Sequence, residues 1–182
     1  MNIYKIKSIC YNKFNFKKFE SNKIFLPQLI QSANVAQCCF DVIKEQLSKT
    51  DGAPESKGKI ILATVKGDIH DIGKNIVKLL LENYGFEVFD LGSDVDSEAV
   101  VNEAVSRGAS LVALSALMTT TAPEMQKVIE CLRKASPSIR VMVGGAVLTE
   151  DYAQKIGADF YGKDAMAAVR FAEDVERELS GV

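Results

Sequence analysis

The pattern of apolar and polar residues changes character at Gly58. From there on, short apolar runs alternate with longer stretches in which apolar residues recur every three or four positions, a pattern typical of strands followed by helices. Residues 60–65 form a nearly continuous apolar run, which predicts a central parallel strand buried on both faces. A helix ending near Gly85 should follow, with its apolar face formed by Ile72, Ile76, Leu79 and Leu80.

The same alternation continues to the end of the chain. Thr121 and Glu124 have the spacing of a capping box, so a helix should begin there and bury Met125, Val128, Ile129 and Leu132. The other strands are expected at residues 86–90, 111–114, 139–143 and 159–161, and the other helices at 96–107 (capped by Asp96 or Ser97), at 149–156 and from Asp164 onward.

Five alternating units predict an α/β fold: a doubly wound, five-stranded parallel sheet of the Rossmann-like or flavodoxin-like kind. In such a sheet the crossovers are right-handed, and ligands bind at the carboxyl ends of the strands, where the strand order reverses. Candidate chemistry should therefore be sought in the segments that directly follow the strands.

The chain before Gly58 has a different composition. Residues 1–24 hold six lysines and one glutamate without a clean period, which indicates a basic, irregular arm. Residues 25–57 combine a helix over 25–49, with Pro27 in its first turn, and a turn-rich linker. The domain itself is expected over residues 58–182.

Composition narrows the class of protein. With 47% hydrophobic and 25% charged residues, the chain has the profile of a soluble globular protein. A net charge of -2 argues against a nucleic-acid partner, and the absence of an 18-residue apolar run argues against a membrane span. The four cysteines, Cys10, Cys38, Cys39 and Cys131, form no C-x-x-C pair and are expected to be reduced thiols, which favours a cytoplasmic location.

The single histidine, His70, is the strongest chemical signal. It stands in the segment Gly67, Asp68, Ile69, His70, Asp71, Ile72, Gly73, directly after the first predicted strand and therefore at the expected crevice. Asp68 lies two residues before His70, so in an extended segment both side chains point the same way, and a carboxylate beside an imidazole fixes its tautomer. Gly73 should give close backbone approach or a special dihedral angle. The plain alternative is a surface histidine on a turn.

The motif Asp68-x-His70-x-x-Gly73 resembles the cobalamin-binding signature of methionine synthase and of corrinoid methyl-carrier proteins. The resemblance continues through residues 90–92, 115–117, 143–146 and 157–161, and it covers about residues 25–182 in order. Residues 26–33 resemble the last helix of the family's helical cap, whereas residues 1–24 are too few for the rest of that cap. The upper face of the cofactor would then need another cover, for example a homodimer.

The resemblance implies that His70 coordinates the cobalt of cobalamin, that Asp68 bonds the other ring nitrogen, and that Thr121 completes the relay. The released nucleotide tail would enter a slot lined by Ser115, Leu117, Gly144 and Gly145. The cofactor-binding residues implied in this way are Gly67, Asp68, Ile69, His70, Asp71, Ile72, Gly73, Ser115, Leu117, Thr119, Thr121, Gly144, Gly145 and Tyr161.

The implied function is that of a methyl carrier without a complete active site of its own. Its partners would be a donor-specific methyltransferase, an acceptor methyltransferase acting on a folate, a thiol or coenzyme M, and a reactivating protein. Two alternatives keep cobalamin: a subunit of an adenosylcobalamin mutase, and a sensing or storage module. A third alternative, a phospho-receiver domain, is disfavoured because Ser115 occupies the place after the third strand where a receiver needs an aspartate.

Overall fold

The structure of the chain is a computed structural model. It describes residues 56–181 and, before them, residues 18, 21, 23–25, 27–28, 31–32 and 35. Within residues 56–181 the elements alternate as β1 (Lys59–Thr64), α1 (Ile72–Asn83), β2 (Glu87–Asp90), α2 (Ser97–Arg107), β3 (Leu111–Ser115), α3 (Ala122–Ala135), β4 (Arg140–Gly144), α4 (Glu150–Lys155), β5 (Phe160–Tyr161) and α5 (Ala165–Ser180).

The five strands form one parallel sheet in the order β2-β1-β3-β4-β5. The predicted doubly wound fold is therefore confirmed. The chain leaves β1 towards one edge to form β2 and then crosses to the other side of β1 to form β3. The strand order thus reverses between β1 and β3, and a crevice is expected at their carboxyl ends. Thr64 pairs with Ser115 at this end of the two strands.

Successive residues of the central strands pack on opposite faces of the sheet, as the two-residue period of a strand requires. In β1, Ile61 and Ala63 belong to the core under α2 and α3, whereas Ile60 and Leu62 belong to the core under α1 and α5. All four are almost inaccessible to solvent. The uninterrupted apolar run of β1 therefore follows from burial on both faces.

The predicted apolar face of α3 is confirmed, whereas that of α1 is partly wrong. Met125, Val128, Ile129 and Leu132 are all buried. In α1, however, Ile72 is 79% exposed, and the charged Lys74 is buried in its place. Ile72 is the first residue of the helix and lies at the carboxyl end of the sheet, two residues after His70.

Little of the N-terminal third is described. Residues 27, 28, 31, 32 and 35 are helical, and Ile24 packs against the core under α1 and α5. The predicted basic arm, most of the predicted cap helix and linker, and Cys10, Cys38 and Cys39 lie outside the described residues. Cys131 is a free thiol. Among the described residues, no helix combines the length and the apolar character that a membrane span needs.

Candidate functional site

The loop after β1 and the loop after β3 meet at the point where the strand order reverses, and Asp68 joins them. Its carboxylate is completely buried. Oδ1 accepts a hydrogen bond from the His70 amide at 3.0 Å and lies 2.7 Å from Nδ1 of the His70 ring. Oδ2 accepts from the amide of Leu117 at 2.7 Å, from the amide of Met118 at 3.3 Å and from the hydroxyl of Thr121 at 2.7 Å.

These hydrogen bonds determine the protonation state of Asp68. Burial alone raises the pKa of a carboxyl group, but here the His70 amide, the Thr121 hydroxyl, the Leu117 amide and the His70 ring all stabilise the anion. The net result is a pKa of Asp68 far below its usual range. Asp68 is therefore an anion at neutral pH, and in that form it can only accept hydrogen bonds.

The charge on Asp68 in turn selects one tautomer of His70. Because a carboxylate has no proton to donate, Nδ1 of His70 must carry the proton that is shared with Oδ1. In the neutral ring the lone pair then lies on Nε2, the form in which imidazole binds metals. The His70 side chain is 45% exposed, in contrast to the buried Asp68. The predicted Asp68–His70 arrangement thus leaves an exposed ring whose Nε2 is able to bind a metal.

Thr121 does not act as the predicted cap of α3. Its side chain makes no capping hydrogen bond and its backbone is helical, with φ of −98° and ψ of −18°. The hydroxyl has a single proton and two acceptors within reach, Oδ2 of Asp68 at 2.7 Å and the carbonyl of Met118 at 3.0 Å. The charged acceptor is closer and binds a proton more strongly. Thr121 therefore belongs to the Asp68 network. The predicted start of α3 is confirmed, but the capping hydrogen bond expected from the Thr121 side chain is absent.

A cavity of about 620 Å³ opens beside this network, between the sheet and the helices α1 and α5. Gly73, three residues after His70, is part of its wall, and most of its lining is apolar. Of the predicted cofactor-binding residues, the wall includes Gly73, Ser115, Gly144, Gly145 and Tyr161. The hydroxyl of Ser115 has no hydrogen-bond partner among the described residues.

The other predicted site residues lie outside the cavity. Leu117 was expected in the slot, but its side chain is 40% exposed and its contribution is the amide bonded to Asp68. Ile69 and Ile72 are exposed apolar residues on either side of His70, and Asp71 precedes α1 without capping it by its side chain. Gly67 has a φ of +79°, whereas Thr119 is exposed. The loop around His70 thus presents an apolar surface to solvent.

The glycines of the site serve different purposes. A Cβ on Gly145 would lie 1.8 Å from the carbonyl oxygen of Ala116, so this residue must be glycine for the two loops to pack. A Cβ on Gly144 would lie 3.4 Å from the carbonyl oxygen of Gly162, which is a short van der Waals contact but not a clash. Apart from the neighbouring backbone, no atom of the described residues lies within 4 Å of a Cβ on Gly73, and its φ is not positive. The predicted special dihedral at Gly73 is therefore wrong, and the space beside it is open.

One residue of the cavity wall was missed by sequence reasoning. The side chain of Lys74 is only 1% exposed, and its Nζ lies 2.5 Å from Oδ1 of Asp90. Burial raises the pKa of Asp90, but the bonds from Lys74 and the Gly92 amide outweigh burial, so the pKa lies below its usual value. A lysine in a helix usually indicates solvent exposure, and its partner is 16 residues away. The local pattern therefore carried no signal.

Known proteins of one family share this chain's sequence and fold. The B12-binding domain family matches residues 58–170. Dimethylamine corrinoid protein 1 of Methanosarcina acetivorans is 41% identical over 160 residues, which is 86% of this chain and 74% of that protein. Trimethylamine corrinoid protein 1 of Methanosarcina mazei is 40% identical over 155 residues, covering 84% of this chain and 72% of that protein.

A solved structure agrees with these relatives. In the methanol:cobalamin methyltransferase complex of Methanosarcina barkeri, one chain superposes with a TM-score of 0.82 at 30% identity, covering 91% of this chain and 63% of that chain. The chain described here therefore belongs to the B12-binding domain family. Its cofactor is cobalamin, and it is a protein of the corrinoid methyl-carrier type.

The residues of the site fit such a cofactor. His70 offers one exposed imidazole nitrogen as a ligand, and no cluster of three or more His, Cys, Asp or Glu side chains elsewhere in the described part of the chain is arranged to hold a metal ion. Ile69, Ile72 and Leu117 offer an exposed apolar surface around His70. The adjoining cavity is mostly apolar and open beside Gly73, and it carries the hydroxyl of Ser115, which has no partner within the described part of the chain.

Proposed function

We propose that His70 is the lower axial ligand of the cobalt, through Nε2, and that the cofactor's own base is displaced (base-off, His-on). The observation that carries this proposal is the hydrogen bond between the buried Asp68 carboxylate and Nδ1 of His70. It keeps the proton on Nδ1 and leaves the lone pair of Nε2 for a metal. When bound, cobalamin supplies a cobalt centre that can accept a methyl group from one partner and deliver it to another.

Asp68 would act by holding the His70 ring in position and by raising its basicity. The second oxygen of Asp68 is bonded to Leu117, Met118 and Thr121, so the ring is tied through one carboxylate to the loop after β3. A ligand fixed in this way loses little conformational freedom when it binds. The apolar residues around His70 would exclude water from the face they cover.

The displaced nucleotide tail would occupy the cavity beside Gly73. The cavity has about the volume needed for a small-molecule site, and its wall includes backbone at Gly144 that a rigid ring could approach closely. The hydroxyl of Ser115 is available to bond a buried base. Lys74 would keep its bond to Asp90 at the cavity wall and so hold the start of α1 against the end of β2.

The methyl donor is proposed to be a methylamine. Two of the relatives are named for dimethylamine and trimethylamine, and both cover most of this chain at about equal identity. The partner would then be a methylamine-specific methyltransferase. A second methyltransferase would deliver the methyl group to a folate, a thiol or coenzyme M.

The ligand proposal can be tested by loading the purified protein with hydroxocobalamin, removing free cofactor by desalting and recording the visible spectrum. The wild type should retain the cofactor with a histidine-ligated spectrum, and His70→Ala should lose either the cofactor or that spectrum. If both proteins retain it with the same spectrum, His70 is not the ligand.

The donor can be identified by mixing the reduced, loaded protein with one purified methyltransferase at a time. Enzymes specific for dimethylamine, trimethylamine and methanol would each receive their own carbon-13 methyl substrate. Label should reach the protein-bound corrinoid with a methylamine enzyme and not with the methanol enzyme. Labelling by the methanol enzyme alone would contradict the proposed donor.

A further inference from the structure

Asp94, in the loop between β2 and α2, holds the chain on both sides of Asp68. Its Oδ1 accepts a hydrogen bond from the Gly67 amide at 2.8 Å. Its own amide donates to the carbonyl of Asp68 at 2.9 Å. Just beneath, Val65 and Val95 form a parallel bridge. Asp94 therefore bonds the peptide group between Lys66 and Gly67 and the peptide group between Asp68 and Ile69, so it holds the chain just before and just after Asp68.

We propose that Asp94 is a positioning residue for cofactor binding, which acts through the loop that carries Asp68 and His70. This inference rests on the proposed role of His70. The geometry supports it because Gly67, with a φ of +79°, needs a defined turn, and its amide has Asp94 as its acceptor. Without that acceptor the turn would lose one of the bonds that hold it and keep those from the Asp68 amide to Val65 and from the Asp94 amide to Asp68. The Asp68 carboxylate could then shift relative to the loop after β3.

The backbone of Asp94 adopts an unfavourable conformation in making its hydrogen bond to Gly67. Its φ of +55° makes it the one non-glycine residue with a left-handed backbone among those described. A residue with a Cβ atom adopts that conformation with a penalty, which Asp and Asn bear best because their short polar side chains bond locally. Glycine would remove the penalty but also the carboxylate that accepts from Gly67.

The ion pairs that Lys66 forms with Asp94 and Asp96 do not explain why Asp94 adopts this backbone conformation. Lys66 lies 3.7 Å from Oδ1 of Asp94 and 3.3 Å from Oδ2 of Asp96, and all three side chains are about half exposed or more. Exposed pairs of this kind contribute little because water and salt screen them. Asp96 carries the same charge two residues away and bonds no amide of the His70 loop, so it offers a matched control.

The chain's only histidine makes the test direct. The nitrogen NMR signals of the His70 ring, recorded on tag-free protein without cofactor in mildly alkaline buffer, report which ring nitrogen carries the proton. Four proteins are compared: wild type, Asp94→Gly, Asp94→Asn and Asp96→Asn. Asp94→Gly tolerates the left-handed backbone and removes the acceptor, whereas Asp94→Asn retains an oxygen acceptor.

In wild type the proton should lie on Nδ1. Asp94→Gly should shift part of the population to the Nε2-protonated tautomer and weaken hydroxocobalamin binding about fivefold, the change expected for loss of one ordinary hydrogen bond. Asp94→Asn should restore most of both properties, and Asp96→Asn should match wild type. Should Asp94→Gly not fold, Asp94→Ser replaces it, because serine is too short to keep the bond.

A structural role alone would lower the melting temperature of Asp94→Gly and leave the ring signals unchanged. The proposal is overturned if the tautomer of Asp94→Gly matches wild type and its hydroxocobalamin affinity stays within about twofold. The NMR measurement needs no cofactor. It therefore remains informative if His70→Ala shows that His70 is not the cobalt ligand, and the two proposals can fail separately.

Discussion

The carboxylate of Asp68 lies 2.7 Å from Nδ1 of His70, with the acid completely buried and the imidazole 45% exposed. The pair therefore joins the interior of the sheet to a ligand that faces outward. Among the described residues, every hydrogen-bonding partner of the carboxylate is a donor: three amides, one hydroxyl and the His70 ring. This arrangement keeps Asp68 ionised and His70 in a single tautomer.

Asp68→Asn should disrupt this arrangement although it changes one atom. An amide group has only one oxygen, so its NH₂ group would face donors where Oδ1 or Oδ2 now accepts. We expect the free energy of unfolding to fall by about 1–3 kcal/mol, and hydroxocobalamin affinity to fall about 10–100-fold. Urea unfolding and a spectroscopic titration measure the two effects. Wild-type affinity in a folded Asp68→Asn protein would contradict the role assigned to Asp68.

The hydroxyl of Thr121 can be tested by a matched pair of variants. Thr121→Val keeps the shape but leaves Oδ2 of Asp68 without one of its short bonds, which should cost about 1.5–3 kcal/mol, as hydrogen bonds to charged groups do. Thr121→Ser keeps the hydroxyl and should lie close to wild type. If both variants unfold at the same urea concentration, the hydroxyl bond to Asp68 makes no net contribution.

Gly144 and Gly145 are adjacent but should respond differently to alanine. In Gly145→Ala the new methyl group would overlap the carbonyl of Ala116, so we expect a loss of several kcal/mol or no soluble protein. Gly144→Ala meets Gly162 at a bearable distance and should fold. It should nevertheless bind hydroxocobalamin more weakly, because the methyl group narrows the cavity. Thermal melts measure the stability of the two variants, and a cofactor titration measures the affinity of Gly144→Ala. Equal melting temperatures for Gly144→Ala and Gly145→Ala would contradict the expected difference.

Stability should depend on pH through Asp68 and Asp90. Both carboxyl groups have a pKa in the folded state below that of the unfolded chain. Below about pH 4 the unfolded chain therefore binds more protons than the folded protein, so the free energy of unfolding falls as the pH falls. Above about pH 5 these two groups should add no slope. Urea unfolding between neutral pH and pH 3 measures this, and Asp68→Asn should flatten the acid limb. If the free energy of unfolding of Asp68→Asn depends on pH as steeply as that of wild type, groups other than Asp68 cause the acid sensitivity.

The fold could be predicted because its determinants are local. The apolar run of β1 and the spacing of Met125, Val128, Ile129 and Leu132 record burial directly. The predictions were wrong at residues whose role depends on a contact with a residue far away in the sequence. Thr121 has the sequence of a helix cap, but its hydroxyl bonds Asp68, which is 53 residues away.

The exposed and buried positions of α1 show the same limit. Ile72 has the spacing of a core residue, yet it lies beside the ligand site and is exposed. Lys74 has the character of a surface residue, yet Asp90 neutralises it in the interior. The resemblance to corrinoid carriers placed His70, Asp68 and Thr121 correctly together, because a motif reflects long-range contacts that periodicity cannot. It carried no signal for Asp94.

The identity of the cobalt ligand can be measured most directly by electron paramagnetic resonance of the cobalt(II) form. The protein would be produced with nitrogen-14 and with nitrogen-15 and loaded with the same unlabelled hydroxocobalamin before reduction. If Nε2 of His70 binds cobalt, each hyperfine line should be a triplet in the first sample and a doublet in the second. If the lines remain triplets in the nitrogen-15 protein, the axial nitrogen belongs to the cofactor, and the role proposed for His70 is wrong.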